Sequence, residues 1–392
     1  MRRLSFPAFM LYYLKFLEDV WGPFRLFEYA TVRGILAAAI ACAIGAFLAP
    51  RIIRRLQNVI QPERGRELLG NAAQEKRKVS TMGGLIIFFS ALAGTLLCAR
   101  PNVYVFSALT VFVGMTLVGF WDDYQKVVRK NYDGMSSGIK WALTSLTSFA
   151  AFCVLLCKGG FRMNLLEIWV PMMKEPLVAF SGAVISSNNL STSGALFFAF
   201  CVLALFWVTS VGTSHAVNLT DGVDGLAAGC AVPNVCVFGI VAYLVGNARW
   251  AEYLNIGYVP GVGELAVFCA AIVAGILVFL WFNSAPATVY MGDTGSLALG
   301  GALGATALLT GHPFLLIISG GIFVVETGSV MIQTMYFKYT RKRYGEGRRI
   351  FLMTPIHHAW QLRGIPNTKL VVRCWIVSLA LAAIALITLK LR

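Results

Sequence analysis

Long, nearly uncharged apolar runs restrict how this chain can fold more than any other feature. Stretches of about 20 residues, the length an α-helix needs to cross a hydrocarbon core, recur near 32–50, 82–99, 102–121, 139–157, 194–213, 225–245, 263–282, 295–311, 313–337 and 371–389. In lipid every backbone donor and acceptor must be satisfied within the segment, which a helix achieves and an irregular chain does not. The expectation is an all-α, polytopic integral membrane protein with about ten transmembrane helices. The 392 residues could otherwise form two or three soluble domains, but 58% hydrophobic and 13% charged residues exclude that. The short alternating segments of a transmembrane β-barrel are missing. Residues 31–392 read as a single transmembrane domain. In residues 1–30, Lys15, Glu18 and Asp19 interrupt any apolar core, so this stretch reads as an interfacial segment rather than a signal peptide. GHPF at 311–314 is the candidate hairpin between the eighth and ninth runs, with Pro313 suited to a helix start.

The net charge of +15 is concentrated at 51–78, 126–140 and 338–369. Positive loops stay inside, so these segments read as cytoplasmic, and an even number of spans then puts both termini outward. The nine cysteines fall mostly within the runs and form no CxxC, so neither a disulfide framework nor a zinc knuckle is indicated. Cys153 and Cys157, at i and i+4, read as small packing residues.

An ionised Asp at the centre of a bilayer costs about 2.5–3.5 kcal/mol on the insertion scale, so carboxylates beside apolar runs belong at an interface or in a wet cavity. Counting spans puts KRKVSTMGG (76–84), FWDDYQKVVRK (120–130), NLTDGVDG (218–225), NSAPATVYMGDTGS (283–296) and PIHH (355–358) on the cytoplasmic side. The acids Asp122, Asp123, Asp221, Asp224 and Asp293 therefore share one membrane face, forming a cytoplasmic-side active-site cleft. Such carboxylates repel one another unless a cation sits among them, and Mg2+, a hard ion that takes oxygen ligands and phosphates, is the natural one. Lys76, Lys126, Arg129, Lys130 and Lys140 suit phosphate oxygens. Gly222, Gly225, Gly292 and Gly295 flank the acids and let backbone amides approach an anion. Asp293 also precedes an apolar helix, where a short acid can cap free amides. From Leu297 onward, the small residues of GSLALGGALGA read as a helix-packing surface. His357 and His358 have neither an HExxH pattern nor a Cys partner, so substrate contact is favoured over metal. Glu326, deep in the ninth run, reads either as a functional acid or as a hydrogen-bonded structural one.

From Phe27 to Arg392 the chain resembles the phospho-N-acetylmuramoyl-pentapeptide transferases, members of the polyprenyl-phosphate N-acetylhexosamine 1-phosphate transferase superfamily. The resemblance is carried by TMGG (81–84), FWDDYQKVVRK, AVNLTDGVDGLA, WFNSAPATVYMGDTGSLALGGALG, GGIFVVETGSVMIQ and RIFLMTPIHH. It implies transfer of phospho-MurNAc-pentapeptide from UDP-MurNAc-pentapeptide to undecaprenyl phosphate, giving lipid I and UMP. It also implies ten transmembrane helices in the bacterial cytoplasmic membrane, an Mg2+ requirement and a homodimer, with no nucleic-acid partner. By the same resemblance Asp122, Asp123 and Asp293 are catalytic acids, with Asp293 and Asp123 at the metal, and Asn218, Asp221 and His357 are active-site positions. Lys76, Gly222, Val223, Asp224, Asn283, Tyr290 and Gln333 line the nucleoside pocket, and His358 is the second histidine of the family motif. The chain departs from the pattern at Lys78 and Ser80, where a Gly and a Pro are usual, at His215 in place of Asn, and at Ala359, Trp360 and Gln361 after the histidines. Two rival readings are a GlcNAc-1-phosphate transferase of the same superfamily and, from another class, a secondary transporter. Transporters hold their acids near the midplane between inverted repeats, whereas these acids map to one face.

Overall fold

The computed structural model describes residues 10–56, 79–129, 134–157, 167–179 and 192–391. Its helices, in chain order, are α1 (Ala30–Leu56), α2 (Gly84–Cys98), α3 (Val103–Val127), α4 (Ser137–Cys157), α5 (Thr192–Thr220), α6 (Leu226–Val245), α7 (Ala248–Leu254), α8 (Leu265–Asn283), α9 (Gly292–Leu309), α10 (Leu315–Ser319), α11 (Gly321–Tyr344), α12 (Ile356–Leu362) and α13 (Asn367–Thr388). Every apolar run in the sequence is covered by helix, and the protein is an all-α polytopic membrane protein. Among the described residues, 7 helices are long and apolar enough to cross a membrane by length and composition alone. The others covering apolar runs fall short for visible reasons. Helix α2 has 15 residues. Helix α9 is Gly- and Thr-rich and buried from Thr294 to Leu309, so protein rather than lipid surrounds it.

The run at 313–337 is not one helix. It divides at Gly320, which leaves helical geometry at φ −85°, ψ 18° between α10 and α11. Adjacent Gly320 and Gly321 are poor helix formers, which makes this the weakest point of the run. Before it, the turn after α9 carries Gly311 at φ +76°, and Pro313 stands two residues ahead of α10, as the sequence suggested.

Helix α9 is the central helix, packed on α3 and α5, while α8 packs on α1, α2 and α6. The small residues of α9 let its neighbours approach closely. Gly300 and Gly304 lie against the Thr213 and Thr209 carbonyls of α5, and Gly301 lies against Met115 of α3. In lipid, where helix association relies on van der Waals packing rather than on the hydrophobic effect, such contacts are a main adhesive. Phe112 of α3 meets Phe268 of α8 edge to face at 5.8 Å in the same core.

The two ends of the bundle differ. At one end α3, α5 and α8 finish while α4, α6 and α9 begin. At the other, buried Arg33 of α1 forms a two-pronged ion pair with Glu264, at 2.5 and 2.6 Å, and the Arg100 N–H donates to the same carboxylate at 2.8 Å. Tyr12, in the short 3-10 helix Leu11–Leu17, covers this pair with its ring 5.1 Å from the Arg33 guanidinium. A two-stranded ribbon, Glu167–Ile168 with Val178–Ala179, is the only sheet among the described residues. It sits by the α9–α10 turn, where the Trp169 N–H donates to the Gly311 carbonyl at 2.9 Å.

Candidate active site

The last turns of α3 carry Asp122 and Asp123, and the first turn of α9 carries Asp293. These segments meet because Gly119 has no side chain: a Cβ there would collide with the Asp293 carbonyl. Gly292, at φ +70°, turns the chain into α9 in a conformation that a β-carbon disfavours. Ligand atoms of the three carboxylates lie within 4.8 Å of one another.

Each acid is held differently. Asp122 is fully buried and accepts from the Met135 N–H at 2.7 Å, from Lys126 Nζ at 2.5 Å and from Lys140 Nζ at 2.9 Å. The same two ammonium groups reach Asp293 Oδ2 at 3.0 and 2.6 Å. Asn218, near the end of α5, donates from Nδ2 to Asp293 Oδ1 at 2.7 Å and to Ser296 Oγ at 2.9 Å. Asp123 accepts the Asp293 N–H at 3.2 Å, the Thr294 N–H at 2.9 Å and the Thr294 hydroxyl at 2.6 Å. Asp123 of α3, and not Asp293 itself, therefore caps the amides that open α9. Sequence reading expected the cap on Asp293 because caps are usually local, whereas here the acid comes from another helix.

Two more segments complete the wall. Ser80 pairs with Val289 in a parallel bridge; the Gly83 N–H donates to the Tyr290 carbonyl at 2.8 Å and the Tyr290 N–H to the Ser80 carbonyl at 2.8 Å. Asn283, buried at the end of α8, donates to the Val289 carbonyl and accepts from the Gly225 N–H, both at 2.9 Å. This amide thus ties the turn after α5 to the loop before α9.

Residues 105–311 match the family described as Glycosyl transferase family 4. Over 389 residues, 98% of this chain and all of the relative, the sequence is 43% identical to the phospho-N-acetylmuramoyl-pentapeptide-transferase of Opitutus terrae. The chain belongs to the phospho-N-acetylmuramoyl-pentapeptide transferase family.

In this transferase the residues singled out in sequence fall into distinct groups. Asp122, Asp123, Asp293, Asn218, Lys126 and Lys140 converge. Lys126 and Lys140, expected as phosphate ligands, bind carboxylates directly and supply positive charge among the acids. Asp221 and Asp224 lie outside the three-carboxylate cluster. Asp224 accepts the Ala287 N–H at 3.3 Å through Oδ2, while its Oδ1 is sealed from solvent without a hydrogen-bond partner among the described residues. Val223 is buried. Gln333 of α11 accepts the Ile350 and Phe351 N–H groups at 2.9 and 3.1 Å and donates to the Phe351 carbonyl at 3.3 Å, so its amide pins the segment before the histidines. His357 and His358 stand buried in α12 rather than on an open loop. His358 Nδ1 is 2.7 Å from Gln361 Oε1, and Gln361 donates to Asn367 at 2.8 Å. Ala359 is buried, and His215 stacks on Trp141 at 4.3 Å. Lys76 and Lys130 lie outside the described residues.

Sequence reading missed Thr294, Ser296, Gly119 and the Met135 amide. Thr294 and Ser296 were within reach of it, since both follow Asp293 in GDTGS within one helical turn.

Proposed function

We propose that the protein transfers phospho-MurNAc-pentapeptide from UDP-MurNAc-pentapeptide to undecaprenyl phosphate, releasing UMP and forming lipid I for peptidoglycan synthesis. The observation that carries this is the joining of Asp122, Asp123 and Asp293 with Lys126 and Lys140 where apolar helices end. Such a site meets a soluble diphosphate on one side and a lipid on the other. A cavity of about 390 Å³ between α5 and α10–α11, lined by Leu205, Val208, Ala216, Phe314, Phe323 and Met331, fits the polyprenyl chain. Ala216 and Asn218 lie within one turn of each other along α5, so the cavity ends at about the depth of the acids.

The donor set fits Mg2+. All the convergent ligands are hard oxygens, and the cluster already draws two ammonium groups against its carboxylates. Asp293, the acid that binds both lysines and Asn218, would hold the ion, with Asp123 beside it. A bound Mg2+ would neutralise charge on the diphosphate and on the departing UMP. The remaining work belongs to the side chains. The acceptor phosphate, with a second pKa near 6, is largely a dianion at neutral pH and needs little help from a base. Asp122, enclosed by three donors, is suited to aiming Lys126 and Lys140 at phosphate oxygens rather than to taking a proton. Direct attack by the lipid phosphate follows. Asp224, with one buried acceptor left open, is suited to the uracil N–H. The site faces the cytoplasm, Asp221 and His358 complete the donor side, and the protein is a homodimer in the bacterial inner membrane.

The test offers purified protein radiolabelled UDP-MurNAc-pentapeptide and undecaprenyl phosphate, with and without Mg2+, and UDP-GlcNAc in parallel. Lipid-linked product from the muramoyl donor alone, dependent on Mg2+, is expected. Product from UDP-GlcNAc instead would assign the sister activity.

A further inference from the structure

Glu326 has no part in the chemistry above, yet it is 1% exposed in the second turn of α11. A carboxylate inside a lipid-embedded bundle is costly unless paired. Its partner is His357, itself wholly buried. His357 Nδ1 lies 2.9 Å from Glu326 Oε2, and the His357 backbone N–H approaches the same oxygen at 3.4 Å. A carboxylate accepts, so this contact assigns the proton to Nδ1. The opposite edge of the ring rests on Gly222. A methyl group at 222 would collide with Nε2 and stand 2.9 Å from Cε1. Nε2 has no hydrogen-bond partner among the described residues. The imidazole is therefore enclosed between a carboxylate and the backbone of the turn that follows α5. That turn follows directly on Asn218 of α5, bound to Asp293, and carries Asp224, bound to Ala287.

We propose that Glu326 is a positioning residue of this transferase, acting through His357 on the Gly222 turn and so on the seat of the donor's UDP group. The inference rests on the proposed function and extends it. Glu326 fixes the ring, and the ring sets how the turn lies over it. An error of about 1 Å in such a support is enough to cost much of a bound geometry. His357 thus acts behind the turn and not against the substrate, which replaces the substrate contact expected from sequence.

The test uses the full chain with Glu326→Gln, Glu326→Asp, Gly222→Ala, His357→Asn and the double variant Gly222→Ala/His357→Asn. It reads KM for each substrate, kcat, Tm and equilibrium binding of labelled UDP. Glu326→Gln is expected to raise the donor KM and the UDP Kd about tenfold while leaving the acceptor KM unchanged, and Glu326→Asp to recover most of that. Asn at 357 keeps an N–H for Glu326 but removes the ring edge facing Gly222. The double variant should therefore bind UDP several-fold better than Gly222→Ala alone. A double variant no better than Gly222→Ala, equal changes in both KM values, a loss confined to kcat, or a fall in Tm with an unchanged donor KM would each overturn the proposal. Wild-type protein that makes no lipid-linked product would instead count against the transferase reading.

Discussion

At the scale of single residues, what distinguishes the three acids is which groups hold them. Asp293 binds Lys126, Lys140 and Asn218 at once, so its removal frees the whole constellation. Asp293→Ala is expected to lower kcat by on the order of 10³-fold or more, about 4 kcal/mol, and added Mg2+ should not restore it. Turnover near wild type in an Mg2+ titration would remove Asp293 from the site. Asp224 differs in kind, with one oxygen on the Ala287 amide and the other buried and unmatched. On the proposed assignment of Asp224 to the uracil N–H, Asp224→Asn would weaken that acceptance, so steady-state kinetics should show donor KM raised about tenfold, roughly 1.4 kcal/mol, with kcat little changed. A fall in kcat at constant KM would contradict the assignment. The acids could be singled out from sequence because a carboxylate next to an apolar run is costly and needs a reason. Their neutralisation by Lys126 and Lys140 could not. Lys126 is one helical turn after Asp122, but the contact of either lysine with Asp293 depends on how α3, α4 and α9 dock.

At the scale of elements, the length and apolarity of the runs located the helices, because lipid leaves the backbone few alternatives. The break at Gly320 and the capping of α9 by Asp123 escaped. The first depends on local geometry at a glycine pair within an otherwise continuous apolar run, and the second on a partner 170 residues away. The Arg33–Glu264 pair also escaped, since its two charges lie 231 residues apart in the chain. It ties α1 to the start of α8 with both charges buried. Removing one partner strands the other, which costs about 3–5 kcal/mol. Arg33→Ala is therefore expected to lower Tm markedly while leaving both KM values near wild type at permissive temperature, because this pair and the carboxylates sit at opposite ends of the bundle. A large change in donor KM at unchanged Tm would show that the two ends are coupled.

At the scale of the whole molecule, the packing fixes where the termini lie relative to the chemistry. Helix α6 begins beside the site and spans about 30 Å at 1.5 Å per residue. Beyond it, Tyr253 of α7 accepts Lys390 at 2.9 Å through its carbonyl, so the C-terminus lies at the end remote from the carboxylates. The start of α1, held by Glu264 ahead of α8, lies at that same end, whereas α8 finishes at Asn283 within the site. Both described termini therefore lie at the end of the bundle opposite the acids. In the orientation proposed above the basic segments stay inside and the donor site opens to the cytoplasm, where the proposed nucleotide-linked donor would be available. A fluorescent protein fused after residue 391 should then remain dark on export, alkaline phosphatase at the same point should be active, and a fusion ending at Gly345 should show the reverse. Fluorescence at the C-terminus together with phosphatase activity at Gly345 would turn the molecule over, leaving the acids facing a compartment with no UDP-linked donor to transfer.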